Sequence, residues 1–309
     1  MQIGILEPRH FSKSAITKLK KYGDVSLHTN VNFDEFLADK EVLFIRLKYQ
    51  MDSVFFEKAK KLKYICSPTT GLNHVDLVEA NKRNIKIICL KGETEFLSTI
   101  RATPEHTFGL LLSLLRNYKK AFLNTNNENW NRDLHKGFEV YKKTIGIIGM
   151  GRVGKILTKY ITAFGGEVLY VDVDIVNGLE NAKKLDTLDK LIEQSDIIFL
   201  TASYSEENEK MINKHIIDLM KNKYFINTAR GELVDEEYLM SMVLKNHFSG
   251  VALDVISNET DIQNNNLKKF LPLCDTHNFI LTPHIAGATY ESMWRTEEFI
   301  ADQFITKIN

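Results

Sequence analysis

The sequence predicts an α/β protein built from two doubly wound parallel-sheet domains. Three observations carry this prediction. Short β-branched runs alternate with amphipathic helical runs along the chain, the pattern of a parallel sheet covered by helices on both faces. The chain has 309 residues, 44% hydrophobic and 26% charged, which is long for one core and comfortable for two. A glycine-rich turn, GMGRVG at 149–154, follows an apolar strand almost halfway along, where a second α/β series begins.

Taken in order, the first series of strands is QIGIL (2–6), VSLH (25–28), VLFIR (42–46), KYIC (63–66) and IKIIC (85–89), separated by lysine-rich helical segments. A long helix is then predicted to open at Pro104 and run through EHTFGLLLSLLRNYKKAF. Proline suits a first helical turn because its missing N–H would have no partner there, and the apolar positions that follow keep helical spacing. This helix is expected to bridge the two domains. A polar loop, NTNNENWNRDLHKG (124–137), precedes the second strand series: IGIIG (145–149), VLYVD (168–172), IIFLT (197–201), YFIN (224–227), SGVALD (249–254) and FILTP (279–283). The polar stretch SNETDIQNNN, 257–266, reads as a surface loop.

Forty basic residues balance forty acidic ones, so the net positive field expected of a general nucleic-acid binder is missing. The N-terminal MQIGILEPRHF lacks the layout of a secretory signal, and nowhere do about 18 apolar residues run together. The expectation is a cytoplasmic chain with neither a membrane nor a nucleic acid as partner. Cys66, Cys89 and Cys274 are odd in number and far apart, which argues against a disulfide framework or a zinc site. Buried free thiols and no metal are expected.

The glycines carry the first chemistry. In a strand-turn-helix the first glycine, Gly149, permits the tight turn, Gly151 lets backbone N–H groups approach a pyrophosphate, and Gly154 lets helix and strand pack closely. Arg152 and Val153 lie within the same turn and open the helix RVGKILTKYITAFG. Asp172 ends the next strand, where its carboxylate can accept both hydroxyls of an adenosine ribose and repel a 2′-phosphate. Asp174 adds to that repulsion. NAD is therefore favoured over NADP, although an adenosyl methyl donor would also suit a glycine turn followed by an acid.

Three polar residues stand after later strands, where a doubly wound sheet places its ligand crevice. Arg230 follows YFIN, Glu259 follows SGVALD, and His284 follows FILT. All three converge on one edge of a sheet that already carries a nicotinamide-type loop, and histidine is the side chain suited to move a proton near neutrality. A carboxylate on the far imidazole nitrogen would favour the imidazolium and fix its tautomer. An arginine fork can grip a carboxylate and polarise a carbonyl, which a lysine cannot reproduce.

GMGRVG with Asp172, INTARGELVDE (226–236), GVALDV followed by Glu259, and LTPHIAG (281–287) together resemble the D-isomer-specific 2-hydroxyacid dehydrogenases, in that family's order and close to its spacing. The resemblance covers nearly the whole chain. It implies a Rossmann nucleotide domain, 104–285, inserted into a flavodoxin-like substrate domain formed by 1–103 and 286–309, which explains why the glycines come so late. It further implies an NAD-dependent dehydrogenase or reductase of a small 2-hydroxy or 2-keto acid, with Arg230, Glu259 and His284 as catalytic residues, and a homodimer. Thr201 and Ala229 fall where the family's loops border the cofactor, Asp254 resembles the position that contacts the nicotinamide amide, and Thr70 and Gly71 in TGLNHVDL resemble the loop that holds the substrate carboxylate. Arg46 and Lys48 resemble in position the basic residues by which phosphoglycerate dehydrogenases hold the distal phosphate, so a 3-phosphoglycerate-like substrate is expected.

Departures also mark this chain. LTASYSEEN replaces the family's usual histidine and proline after the third nucleotide-domain strand, and the segment 91–107, with Glu93, Glu95 and Arg101, is about five residues longer than usual. We read that segment as a specificity element. Glu259 argues against a formate dehydrogenase, whose relatives resemble a glutamine–histidine arrangement. The alternative reading is a nucleotide-sensing, corepressor-like interaction protein on the same scaffold.

Overall fold

The computed structural model describes residues 1–29, 31–128, 130–174, 179–259, 261 and 263–309. The chain divides into two units, Met1–Ile100 with Ala288–Asn309, and Arg101–Gly287, against divisions expected at 103/104 and 285/286.

The smaller unit runs β1 (Gln2–Ile5), α1 (Lys13–Leu19), β2 (Asp24–Leu27), α2 (Phe33–Leu37), β3 (Val42–Phe44), α3 (Ser53–Lys58), β4 (Tyr64–Ser67), α4 (Leu77–Lys82), β5 (Lys86–Cys89) and α5 (Thr94–Ser98). Its strands form a parallel sheet in the order β2-β1-β3-β4-β5. Side chains of a strand alternate between faces, and the core follows that rule: Val42 and Phe44 pack into one apolar layer, Leu43 and Ile45 into the other. Each of α1 to α4 begins at a residue whose side chain accepts first-turn N–H groups, namely Ser12, Asn32, Asp52 and Asp76. Such caps replace the missing intrahelical partners. The strand expected to reach Arg46 stops at Phe44. Its cause is Glu7, whose carboxylate takes the N–H groups of Arg46 and Lys48 in place of a neighbouring strand.

The larger unit begins with α6 (Ala102–Leu115) and α7 (Tyr118–Asn126), which corrects the single helix expected from Pro104. Asn117 turns the chain at φ +52° between them, a conformation asparagine tolerates better than most residues. Eight residues of α6 are buried and none of α7, so the apolar stripe ends where the helix does. The chain continues through β6 (Thr144–Ile148), α8 (Arg152–Ala163), β7 (Glu167–Val171), β8 (Lys183–Lys184), α9 (Leu188–Gln194), β9 (Ile197–Leu200), α10 (Lys214–Leu219), β10 (Tyr224–Asn227), α11 (Glu236–Leu244), β11 (Gly250–Leu253), α12 (Leu267–Thr276) and β12 (Phe279–Leu281). It then returns to the smaller unit as α13 (Tyr290–Ile308). Among the described residues the second sheet is parallel, in the order β12-β11-β10-β9-β6-β7-β8. Ile147 and Phe199 fill one of its layers, Ile148 and Leu200 the other. Strand order reverses between β6 and β9, the place where open α/β sheets receive ligands at their carboxyl ends.

Asn129 of the polar loop, and Thr260 and Ile262 of the stretch 257–266, lie outside the described residues. Arg132–His135 of that polar loop forms a 3₁₀ turn. The segment 91–107 holds a short helix, α5, and the start of α6. All three cysteines are free, but only Cys66 is buried; Cys89 and Cys274 are half-buried, which corrects the expectation for two of them. Among the described residues no helix is long and apolar enough to cross a membrane, and no group of His, Cys, Asp and Glu could hold a metal ion.

Candidate active site

The turn after β6 has the shape its glycines require. Gly149 sits at φ +93°, and a Cβ there would lie 2.5 Å from Cα of Ala202, the residue two beyond β9. A Cβ on Gly154 would lie 2.7 Å from the carbonyl oxygen of Gly149, so α8 packs directly onto the turn. At Gly151, by contrast, a Cβ would meet nothing within 4 Å. Gly151 is also the N-cap of the 12-residue α8 and gives it no side-chain cap. The first N–H groups of that helix and the positive end of its dipole are thus left for an anion. Burial lowers the pKa of Arg152 there, with the nearby charge of Arg101 acting in the same direction.

Asp172 reaches back to this turn. One carboxylate oxygen accepts the N–H of Met150 at 2.6 Å and the other accepts that of Asp174 at 2.9 Å. A carboxylate offers about four acceptor positions, so capacity for ribose hydroxyls remains. Thr201 donates its hydroxyl to the carbonyl of Gly149 at 2.6 Å, which makes it a brace of the turn. The cradle fits a dinucleotide: open space at 151, backbone closed up at 149 and 154, an uncapped helix N-terminus and an acid at the end of β7.

After β10 the chain turns sharply around Asn227. Its side-chain oxygen accepts the N–H of Ala229, and its amide donates to the carbonyl of Arg230, each at 2.9 Å. Arg230 is half-buried and extended, and donates from Nη1 to the carbonyl of Ala229. The next residue, Gly231, lies so close to the backbone of Ile256 and Ser257 that a Cβ would come within 2.0 Å of it. That approach brings the Arg230 turn against the segment leading to Glu259.

Glu259 accepts the N–H of Ile256 with one oxygen and meets Nδ1 of His284 with the other at 2.5 Å. The contact occupies Nδ1 and leaves Nε2 as the nitrogen able to deliver a proton. His284 has φ +51°, unusual for a residue with a Cβ. Asp254 holds it there: its carbonyl accepts the N–H of His284 at 2.8 Å, while its fully buried carboxylate accepts from the Thr282 hydroxyl at 2.6 Å and from the N–H groups of Ile285 and Ala286 at 2.9 and 2.8 Å. Burial pushes the Asp254 carboxyl up, but hydrogen bonds from His106, Thr282 and this backbone outweigh it and hold the pKa below the ordinary value. The Asp254 carboxylate is thus bonded by the loop 282–286 and by His106.

In the smaller unit, Thr70 is exposed and Gly71 half-buried in the loop after β4, and the Thr69 hydroxyl fixes that loop by donating to the carbonyl of Gly71 at 2.8 Å. Arg46 differs from expectation. Its guanidinium bonds the carboxylate of Glu297, which is fully buried, from both Nε and Nη2, and also the carbonyl of Arg9. Burial pushes the Glu297 carboxyl up against the pull of Arg46. Lys48, by contrast, lines a cavity of about 610 Å³ with Arg9, His28 and Tyr49 at the carboxyl ends of the strands.

Sequence reasoning assigned no role to Asn227, Thr69, His106 or Glu297. Asn227 stood inside a quoted motif and carried a signal, a short polar side chain at a strand end. Thr69 acts within its own loop, whereas His106 and Glu297 act through partners far along the chain.

Residues 108–286 match the family described as D-isomer specific 2-hydroxyacid dehydrogenase, NAD binding domain. A glyoxylate reductase of Thermofilum pendens is 32% identical over 313 aligned positions, covering 96% of this chain and 89% of that protein. A D-3-phosphoglycerate dehydrogenase of Methanocaldococcus jannaschii is 29% identical over 98% of this chain, which spans 56% of that longer relative. The structure of a D-lactate dehydrogenase from Aquifex aeolicus, complexed with NAD and lactic acid, superposes with a TM-score of 0.85 at 27% identity, covering 100% of this chain and 95% of that one.

Proposed function

The chain belongs to the D-isomer-specific 2-hydroxyacid dehydrogenase family, and on that premise we propose how its own residues carry the reaction. It is an NAD-dependent oxidoreductase that moves a hydride between nicotinamide and C2 of a small D-2-hydroxy acid or 2-keto acid. NAD, when bound, supplies or accepts that hydride.

The chain's residues divide the remaining work. Gly149, Gly151, Arg152, Val153 and Gly154 cradle the pyrophosphate and Asp172 holds the adenosine ribose, while Thr201 and Ala229 shape the walls of that site. Arg230 binds the substrate carboxylate and the C2 oxygen, orienting the acid and drawing charge from the carbonyl. His284 delivers a proton from Nε2 to the alkoxide in reduction and removes it in oxidation. Glu259 aims the ring and keeps the tautomer. The backbone N–H groups at Thr70 and Gly71 are donors for the substrate carboxylate. We assign the nucleotide role to the larger unit and the substrate role to the smaller. The observation that carries this reading is the 2.5 Å contact between Glu259 and Nδ1 of His284, made on loops that follow strands of the glycine-turn sheet.

For the far end of the substrate, Lys48 with Arg9 replaces the expected pair of Arg46 and Lys48, because Arg46 is bound to Glu297. A substrate with an anionic tail, such as 3-phosphoglycerate, fits that pair. A homodimer is the assembly we propose, and Phe122, Trp130, Leu134, Phe138 and Phe164 are apolar side chains that the larger unit leaves exposed for such a contact. Three unpaired cysteines suit a reducing, cytoplasmic setting. Nothing among the described residues or the relatives favours a nucleotide-sensing protein over an enzyme.

The test is NADH oxidation by purified protein with glyoxylate, pyruvate, hydroxypyruvate and phosphohydroxypyruvate, with Lys48→Ala alongside. Preference for the anionic tail, and a raised KM for that substrate alone in Lys48→Ala, is expected. Turnover of neutral-tailed acids only would remove Lys48 and Arg9 from the substrate site.

A further inference from the structure

We propose that His106, on the first turns of α6, is a positioning residue of the reaction that acts through Asp254 on the strap carrying His284. The proposal rests on the reading of His284 as the proton donor. Nε2 of His106 lies 3.2 Å from Thr282 Oγ1 and 3.2 Å from Asp254 Oδ1. The Thr282 hydroxyl already donates its proton to that same Asp254 oxygen at 2.6 Å, so both atoms facing Nε2 are acceptors. His106 must therefore carry a proton on Nε2 and share it between them.

This places His106 at the only helix-borne hydrogen bond among those described for the Asp254 side chain; the others come from 282, 285 and 286. Those residues bracket His284, whose own N–H is held by the Asp254 carbonyl. Asp254 is thus a rigid post at the end of β11, and the strap 282–286 hangs from it by both its carboxylate and its carbonyl. Left to itself, a strap with a histidine at φ +51° would relax, because that backbone conformation is strained for a residue with a Cβ. The imidazole of His106 fixes the remaining freedom, the rotation of the Asp254 carboxylate and of the Thr282 hydroxyl, and ties both to a helix that buries eight residues in the core. A carboxylate free to rotate about its last bond would release first one strap N–H and then the other, and the imidazole of His284 would lose its aim.

The experiment compares full-length His106→Leu and His106→Gln with the native enzyme. Leucine fills the space without a donor, whereas glutamine returns an N–H near the position of Nε2. We expect His106→Leu to lower kcat on the order of tenfold, the scale of one lost hydrogen bond to a charged acceptor, with NADH affinity unchanged and a larger solvent isotope effect on kcat as proton delivery slows. His106→Gln should recover most of the rate and the native isotope effect. Should the leucine variant fail to fold, His106→Asn, polar but too short to reach, carries the same expectation of lost rate. Native kcat in the donorless variant, or equal losses with leucine and glutamine that follow thermal stability, overturns the proposal. His284→Gln is measured in parallel. An inactive His284→Gln beside a native-like His106→Leu removes only the role of His106, whereas a fully active His284→Gln removes the reading beneath it and this proposal with it.

Discussion

Replacing Gly149 and Gly151 by alanine, one at a time, separates the architecture of the glycine turn from its use. At Gly149 the new Cβ would stand 2.5 Å from Cα and 2.6 Å from N of Ala202. Carbon atoms rest at about 3.5 Å or more, so the ends of β6 and β9 must part by about 1 Å. No flexible side chain can give way, because the obstacle is backbone. The left-handed φ of +93° adds about 1–2 kcal/mol for a residue with a Cβ, and forced overpacking adds about 1–3 kcal/mol. A loss of about 2–5 kcal/mol is therefore expected, large beside the total of about 5–15 kcal/mol typical of a domain. Gly151 is the opposite case. Its φ is −74° and its Cβ would meet nothing within 4 Å, so Gly151→Ala should stay within about 1 kcal/mol of native stability. The same Cβ would enter the open space we assign to the pyrophosphate, and NADH affinity should fall about tenfold or more, the effect of about 1.4 kcal/mol of crowding. Urea unfolding gives the stabilities and NADH fluorescence the affinities. A Gly149→Ala protein as stable as native, or a Gly151→Ala protein that binds NADH as before, refutes the reasoning.

Two further outcomes follow from the same geometry. NADH should be used in preference to NADPH, and Asp172→Ala should narrow the gap in kcat/KM between them; equal or better use of NADPH by the native protein contradicts the role given to Asp172. Asp254 makes stability depend on acid: its folded-state pKa lies below the ordinary 3.8, so its contribution is complete above that value and is lost as pH falls through the lower, folded one. Asp254→Asn should flatten the acid limb of a plot of urea midpoint against pH, and should cost about 1–3 kcal/mol at neutral pH by leaving a buried strap N–H unpaired. An unchanged acid limb would show that Asp254 is not the linked group.

Much of the frame was legible because its causes are local. Strands such as YFIN and IIFLT are fully or nearly fully buried, and a parallel sheet covered on both faces demands such runs. The glycines were legible for a steric reason, since backbone occupies the space of a Cβ at 149 and 154. The break between α6 and α7 was not, because no glycine or proline marks it and Asn117 does so through a left-handed turn with its amide on the carbonyl of Lys136. Nor could the fate of Arg46 be read, as its partner Glu297 lies 251 residues away. Arg230, Glu259 and His284 could be named from their motifs. Their support could not: the hold of Asp254 on 282–286 and the reach of His106 across 176 residues to Thr282 exist only once the sheet has formed.

The central claim is that His284 moves the proton while other residues hold the cofactor, and one variant tests it most directly. For His284→Gln, kcat for NADH-dependent reduction of the best keto acid should fall by about 10² or more, the range that a positioned acid or base supplies, with NADH binding by fluorescence titration left as in the native protein. Near-native turnover in that variant would contradict the account.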